Sequence, residues 1–90
     1  MQVLVRTYSA GVHIGELKSR EGKEVVLVNA RRIWRWSGAN TCSELALRGC
    51  DTKSSRVSQA VPEITLTEAI EIIPLQQEAV DRFAACGWDK

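Results

Sequence analysis

The chain has 90 residues, of which 44% are hydrophobic and 26% are charged, and its net charge is +1. This composition predicts one globular domain, residues 1–90, and the longest apolar run, residues 25–28, is far shorter than the ~20 residues of a membrane-spanning helix. No secretory leader pattern follows Met1, and three cysteines are an odd number for a disulfide framework. We therefore expect a cytoplasmic protein whose cysteines stay reduced and pack in the core or at an interface.

The first 36 residues predict an antiparallel meander. Residues 3–7, 12–18 and 24–28 are rich in β-branched side chains, which favours three strands. The first two strands are joined by a tight connection at residues 8–11, where Gly11 can take a positive φ, and the next two by a hairpin turn at residues 20–23. Asn29 and Ala30 predict a break or bulge, after which residues 31–36 continue extended.

The remaining residues predict two helices and one more extended segment. Thr41 and Glu44 fit a capping box, which places a short helix before Gly49. Residues 50–60 are polar and predict a loop, residues 64–73 alternate in an extended pattern, and residues 76–86 have helical spacing and end before Gly87. The predicted fold is therefore α+β, an antiparallel β-meander or small open barrel of about five strands with one short helix and a C-terminal helix.

Charge is distributed unevenly along the chain. Residues 1–56 carry ten Lys and Arg against five Asp and Glu, whereas residues 57–90 carry two against six. The two halves therefore either attract each other, within or between subunits, or the basic half holds an anion. The sequence lacks the glycine-rich phosphate loops, the serine-hydrolase elbow and the zinc-protease motif. We predict a protein that is not an enzyme, with no catalytic residues, no metal site and no cofactor.

Residues 31–36, with the sequence RRIWRW, combine arginines and tryptophans in one extended segment. Strand alternation divides them between two faces, with Arg32, Trp34 and Trp36 on one and Arg31, Ile33 and Arg35 on the other. Tryptophans stack on bases and arginines bind phosphate oxygens, so the segment is a candidate nucleotide platform. Tryptophans also pack in cores and subunit interfaces, and a bend in the strand would send one of the two to the core.

The connection between the first two predicted strands is a second candidate. A turn of small residues lets backbone amides approach an anion, and Tyr8 can cover a base or a ribose. Ser9, Gly11 and His13 would supply further contacts from the turn. The alternative is an ordinary hairpin with an exposed tyrosine.

These motifs together resemble a family of short phage-encoded proteins of about this length that carry an uncharacterised domain. The resemblance lies in residues 3–17 (VLVRTYSAGVHIGEL), 19–25 (SREGKEV), 29–39 (NARRIWRWSGA) and 67–74 (TEAIEIIP). Such proteins are similar to the oligomeric sponges that bind cyclic nucleotide immune signals and so disarm host defence. The implied ligands are cyclic oligonucleotides of the CBASS defence system, with the cyclic ADP-ribose signals of Thoeris as the other choice.

The resemblance also implies a site and partners. It places Tyr8 and Trp34 or Trp36 on bases, Arg31, Arg32 and Arg35 on phosphates, and Ser9, Gly11 and His13 at the turn. The implied protein is a homo-oligomer, a dimer or tetramer, that acts in the host cell cytoplasm without a membrane and without cleaving its ligand. Two alternatives remain, a phage accessory protein that acts through protein contacts and a small nucleic-acid-binding module, against which the acidic second half counts.

Overall fold

A computed structural model describes residues 1–36, 41–51 and 55–86, except for the side chain of Arg35. Within these ranges the chain forms six strands and two helices, which confirms the α+β class. In chain order these are β1 (Gln2–Thr7), β2 (Val12–Glu21), β3 (Glu24–Arg35), α1 (Cys42–Arg48), β4 (Arg56–Val57), β5 (Val61–Leu66), β6 (Ala69–Pro74) and α2 (Gln77–Ala84). Neither helix is long and apolar enough to cross a membrane.

The strand boundaries differ from the sequence prediction in four places. The second strand, predicted at 12–18, continues to Glu21, so residues 20 and 21 of the predicted turn are in β2 and the turn is Gly22–Lys23. The predicted strands at 24–28 and 31–36 are one continuous strand, β3, in which Asn29 takes a φ of +52° at the expected bulge. The predicted loop at 50–60 contains the short strand β4, which pairs with the end of β3. The extended segment at 64–73 divides into β5 and β6, because the polar residues Thr67 and Glu68 form a turn whose Glu68 carbonyl accepts a hydrogen bond from the Tyr8 amide.

All the strand pairs are antiparallel, and the sheet is strongly curved. Its order is β5–β3–β2–β1–β6, with β4 beside the C-terminal part of β3. In a flat sheet four strand spacings would separate β5 from β6 by roughly 19 Å, whereas the three steps from Leu66 to Ala69 span at most roughly 11 Å. The two-residue turn between β5 and β6 therefore requires the sheet to curl until its edges approach each other.

Bulges in the β2–β3 hairpin supply this curvature. The register shifts between Ile14 and Glu16 and again between Leu17 and Ser19, and such irregularities bend strands and increase their twist. Gly15 lies inside the first bend, where a Cβ atom would be 3.1 Å from the Val28 carbonyl oxygen. A side chain there would push the two strands apart.

The curved sheet has two faces, each with its own core. The two helices cover the convex face, and the core between them, the helix-side core, includes Leu4, Val12, Ile14, Ile33, Leu45, Val57, Ala79 and Phe83. The concave core fills the inside of the curve and consists of Val3, Val5, Val25, Leu27, Ala30 and Leu66. Alternation along β1 explains the division, since Val3 and Val5 point inward and Leu4 points outward.

The helix-side core also holds the cysteines. Cys50 and Cys86 are buried in it with their Sγ atoms 3.7 Å apart, and Cys42 packs against its edge. Burial and the neighbouring Cys50 raise the pKa of the Cys86 thiol to about 12, so it stays protonated at neutral pH. The expected cap is confirmed at Thr41, whose hydroxyl accepts a hydrogen bond from the Glu44 amide at the start of α1.

Candidate ligand-binding site

His13 and Arg32 lie side by side where the concave core ends. They are direct partners across the β2–β3 pair, and the Nε of Arg32 donates a hydrogen bond of 3.2 Å to the Nε2 of His13. Next to them is an open cleft of about 220 Å³. Its lining residues are His13, Ala30, Arg32, Ser58, Val61 and Ile64. The cleft is therefore the mouth of the curved sheet, with an imidazole and a guanidinium in its wall.

The imidazole of His13 has an unused hydrogen-bond donor. Because Nε2 accepts from Arg32, the ring proton of the neutral form is on Nδ1. His13 is 2% exposed, and Nδ1 has no hydrogen-bond partner among the residues that the structure describes. A buried donor without an acceptor costs about 1–3 kcal/mol, so a ligand acceptor would be favoured here once a shift of the ring or of the cleft wall exposes this atom.

The charge state of His13 follows from its surroundings. Burial and, secondarily, the positive charge of Arg32 lower its pKa to about 4. The ring is therefore neutral at pH 7 and presents a hydrogen-bond donor without a charge. The positive charge of the cleft comes from Arg32.

Arg32 is exposed and only partly used by the fold. Its main chain is fixed, because its amide donates to the Ser58 hydroxyl at 2.7 Å and its carbonyl accepts from the Ser58 amide at 2.8 Å. Its side chain bonds to His13 through Nε, and its two terminal nitrogens bond to no described residue. Those two nitrogens can form the planar fork that binds phosphate oxygens.

Trp34 follows two residues later and is 53% exposed. Between β3 and β4, the pair Ile33–Val57 is followed by Arg35–Arg56, so Trp34 is an extra residue, a bulge. The bulge reverses strand alternation beyond it. An exposed indole at this position is available for stacking on a base.

The bulge also separates the two neighbouring tryptophans, so the predicted shared face of Arg32, Trp34 and Trp36 is wrong. Trp36 is half-buried and packs against the helix-side core, as Ile33 does. The predicted alternative, one tryptophan in the core and the other exposed, describes the structure. The side chain of Arg35 lies outside the described part of the chain.

Arg31 has a structural role on the opposite face from Arg32. Its guanidinium donates four hydrogen bonds to carbonyl oxygens, two on the β4 side, Val57 and Ser58, and two at the end of α2, Phe83 and Cys86. The distances are between 2.7 and 3.3 Å. These bonds use Nε and both terminal nitrogens, so a phosphate would have to displace them, and we remove Arg31 from the candidate site.

Of the four residues predicted at the first turn, His13 lines the His13–Arg32 cleft and the other three do not. Gly11 has the expected positive φ, +86°, and its carbonyl accepts from the Thr7 amide, which closes the turn. Tyr8 is 79% exposed, and the Ser9 hydroxyl donates to Glu68 at 2.9 Å. Neither Tyr8 nor Ser9 lines the His13–Arg32 cleft.

Sequence reasoning missed the far wall of the cleft. Ser58, Val61 and Ile64 come from the segment after β4 and from β5, about thirty residues away from Arg32, and only the alternation at Ile64 gave a sign of its inward position. The pairing of His13 with Arg32 did have a signal. If the hairpin turn is Gly22–Lys23, pairing residues outward from the turn places His13 opposite Arg32. The two bulges between the turn and this pair do not change the result, because one adds a residue to β2 and the other adds a residue to β3.

The described residues contain no group of three or more His, Cys, Asp or Glu side chains placed to hold a metal ion. The donors of the cleft are instead an arginine and a neutral histidine, beside a serine whose hydroxyl already donates to the Gln59 carbonyl. Such a set binds anions and hydrogen-bond acceptors.

Comparison with known proteins identifies a family and no activity. Neither the curated proteins nor the solved structures include a match. A family profile matches residues 1–83, which include every strand and all but the last residue of α2. The chain therefore belongs to the family described as a domain of unknown function, DUF6948.

Proposed function

We propose that this protein binds a cyclic nucleotide second messenger at the His13–Arg32 cleft and sequesters it without cleaving it. The observation that carries the proposal is the buried Nδ1 donor of His13, which lacks an acceptor and lies beside an exposed arginine. A cyclic nucleotide offers both phosphate oxygens and base or sugar acceptors, so one ligand would use both groups. The motif resemblance to cyclic-nucleotide sponges supports the same ligand class.

Each group has a defined role in this proposal. The two terminal nitrogens of Arg32 bind a phosphate, and the bond from its Nε to His13 fixes the plane of the guanidinium. The Nδ1–H of His13 donates to a ligand acceptor. Trp34 stacks on a base, an interaction worth about 1–3 kcal/mol per base.

The state of His13 favours binding over cleavage. General acid–base catalysis works best with a pKa near the working pH. A group with a pKa of about 4 is a weak base at neutral pH and is almost never protonated to act as an acid. The cleft therefore suits retention of an intact ligand.

The size of the cleft supports a homo-oligomer. At about 220 Å³, it is smaller than the roughly 300–1,000 Å³ of pockets that enclose whole ligands of this class. A second copy facing the first would enclose a two-fold symmetric cyclic dinucleotide, with one Arg32 for each phosphate. Val61, which lines the cleft, and Trp34, two residues along β3 from Arg32, are exposed and offer apolar contact area for such a dimer or tetramer.

In biological terms, we propose that a phage produces the protein to remove an immune signal from the host cell cytoplasm. The first choice of signal is a cyclic oligonucleotide of CBASS, and the second is a cyclic ADP-ribose. This role requires affinity and abundance rather than turnover.

The test is thermal unfolding of the protein with a panel of cyclic dinucleotides, cyclic trinucleotides, cyclic ADP-ribose isomers and their linear forms. A ligand at 100 times its Kd adds about 2.7 kcal/mol, which shifts the Tm of a domain this small by roughly ten degrees or more. We expect one cyclic species to produce this shift and its linear form to produce none. Chromatography of the ligand released by heating should recover it intact.

Two variants test whether the Tm shift depends on the His13–Arg32 cleft. Arg32→Gln should lose at least about tenfold in affinity, since a bidentate charged contact to phosphate is removed. Arg48→Gln, which removes another exposed arginine, from α1, should bind as the parent does. A panel without any shift, equal binding by both variants, or recovery of a hydrolysed ligand would each contradict the proposal.

A further inference from the structure

A second and larger cleft lies where three turns of the chain meet. The tip of the β2–β3 hairpin curls over the sheet and reaches the start of β6 and the β1–β2 turn. The cleft between them measures about 570 Å³. Its lining residues are Tyr8, Arg20, Gly22, Lys23, Glu68, Ala69 and Ile70.

Hydrogen bonds between the turns hold this cleft in shape. The Ala69 amide donates to the Lys23 carbonyl at 3.0 Å, and the Tyr8 amide donates to the Glu68 carbonyl at 3.0 Å. The Ser9 hydroxyl adds a third bond, to the Oε1 of Glu68, at 2.9 Å. The turn between β5 and β6 is therefore tied to both other turns, so a ligand would meet a preformed site.

The cations of this cleft, like Arg32, differ from four other exposed cations in having no carboxylate partner among the described residues. Those four lie within 4.0 Å of a carboxylate, in the pairs Arg6–Glu71, Lys18–Glu63, Arg48–Glu44 and Arg82–Glu78. Arg20 and Lys23 form no ion pair with a described residue, although Glu68 lines the same cleft. Two cations without ion pairs among the described residues, both lining one cleft, favour an anionic ligand.

The other lining groups narrow the choice of ligand. Tyr8 lines the cleft and is 79% exposed, so its ring is accessible for stacking. The Oε2 of Glu68 bonds to no described residue, so the site also contains a charged acceptor. Inorganic phosphate would be repelled by this carboxylate, whereas a ligand with a phosphate, a planar ring and hydroxyl or amino donors satisfies all of these groups.

We propose that the cleft between Tyr8, Arg20, Lys23 and Glu68 is a binding site for a nucleoside monophosphate, separate from the His13–Arg32 cleft. The phosphate lies against Arg20 and Lys23, and the base stacks on Tyr8. The ribose hydroxyls or the base amino group donate to Glu68. The volume of about 570 Å³ falls within the range of roughly 300–1,000 Å³ that is typical of small-molecule sites.

The experiment is a titration of the ¹⁵N-labelled protein with adenosine 5′-monophosphate, followed by amide NMR shifts. We expect saturable shifts at Gly22, Lys23, Glu68 and Ala69, and none at Ala30 or Arg32. Ribose 5-phosphate and inorganic phosphate are run in parallel. They should bind at least about fivefold more weakly, because they lose the base stacking.

Variants test each group against a matched control. Arg20→Gln combined with Lys23→Gln should weaken the binding of adenosine 5′-monophosphate by at least about tenfold, because both phosphate contacts are lost. Lys18→Gln removes a lysine from the same strand outside the cleft and should leave the binding unchanged. Tyr8→Ala should lose at least about fivefold, whereas Tyr8→Phe, which keeps the ring, should remain within about twofold of the parent.

The outcomes separate this proposal from the proposed function. Shifts confined to Ala30, Arg32 and their neighbours would overturn the second site, as would equal binding by the double variant and Lys18→Gln. Absence of saturable binding would overturn it as well. None of these results would by itself overturn the sponge proposal, whose test depends on Arg32→Gln and cyclic ligands.

Discussion

Arg31 and Arg32 are consecutive in β3, yet the fold uses them in opposite ways. Arg31 points to the helix side, where its guanidinium donates to four carbonyl oxygens and ties α2 to the sheet. Arg32 points to the concave side, where one nitrogen bonds to His13 and the terminal nitrogens bond to no described residue. Strand alternation therefore assigns one of two identical side chains to stability and leaves the other for recognition.

The same contrast applies to the polar groups around each arginine. On the helix side, the Arg31 guanidinium donates to the Phe83 and Cys86 carbonyls at the end of α2, so its terminal nitrogens have protein acceptors. On the concave side, the neighbour of Arg32 is a buried histidine with an unpartnered nitrogen among the described residues. A fold tolerates such a group when function requires it.

The strongest test of the comparison is Arg31→Ala. This change leaves four carbonyls without their charged donor, and we expect the free energy of unfolding to fall by about 3 kcal/mol, since hydrogen bonds to charged groups contribute about 1.5–3 kcal/mol. Urea denaturation measures the loss. Arg31→Lys restores the charge without the planar fork and should recover only part of it. A loss below about 1 kcal/mol would remove the distinction between the two arginines.

The pH dependence of stability tests the concave side. The pKa of His13 is about 4 in the folded protein and 6.5 in the unfolded chain. Between these values the unfolded chain binds one more proton, so stability rises with pH through this window and is fully present above pH 6.5. The full difference corresponds to about 3 kcal/mol.

The measurement is the free energy of unfolding at several pH values between 5 and 6.5, a range in which most carboxylates stay ionised. His13→Gln is the control, because it keeps a polar side chain without a titrating ring. We expect the slope to disappear in this variant. A parent protein without the slope would show that His13 is not held neutral.

The smallest effect on stability is expected from Arg32→Gln. Because the Arg32 side chain is exposed and, among the described residues, bonds to His13 alone, the free energy of unfolding should change by no more than about 0.5 kcal/mol. The pKa of His13 should rise, since the positive charge of Arg32 lowers it. His13 is the single histidine of the chain, so its ring resonances report this pKa directly. An unchanged pKa together with a large loss of stability would make Arg32 a structural residue like Arg31.

Local signals in the sequence identified much of the fold. Gly11 takes the positive φ that its turn requires, and Thr41 caps α1, because both effects act within a few residues. The bulge at Asn29 was also visible. These features depend on backbone sterics and short hydrogen bonds, which a sequence pattern expresses directly.

The features that the sequence did not predict depend on which face of a strand each residue occupies and on contacts between distant segments of the chain. Because Trp34 is an extra residue in β3, Trp36 packs against the helix-side core, and no local sequence pattern predicts this bulge. The role of Arg31 depends on carbonyls more than fifty residues away, at Phe83 and Cys86. Tyr8 and Arg32 were expected in one site, yet they line different clefts because the hairpin tip curls toward Tyr8.

The two-residue turn between β5 and β6 also affects the order in which the strands can pack during synthesis. A ribosome releases β1, β2 and β3 first, and the inner faces of Val3, Val5 and Leu27 then have no cover. Leu66 and Ile72 complete the concave side only after residue 74 has emerged, because β5 and β6 join opposite edges of a sheet that already exists. Until β6 has been synthesised, the apolar inner faces of β1, β2 and β3 stay uncovered, and exposed apolar strands of this kind favour association between nascent chains.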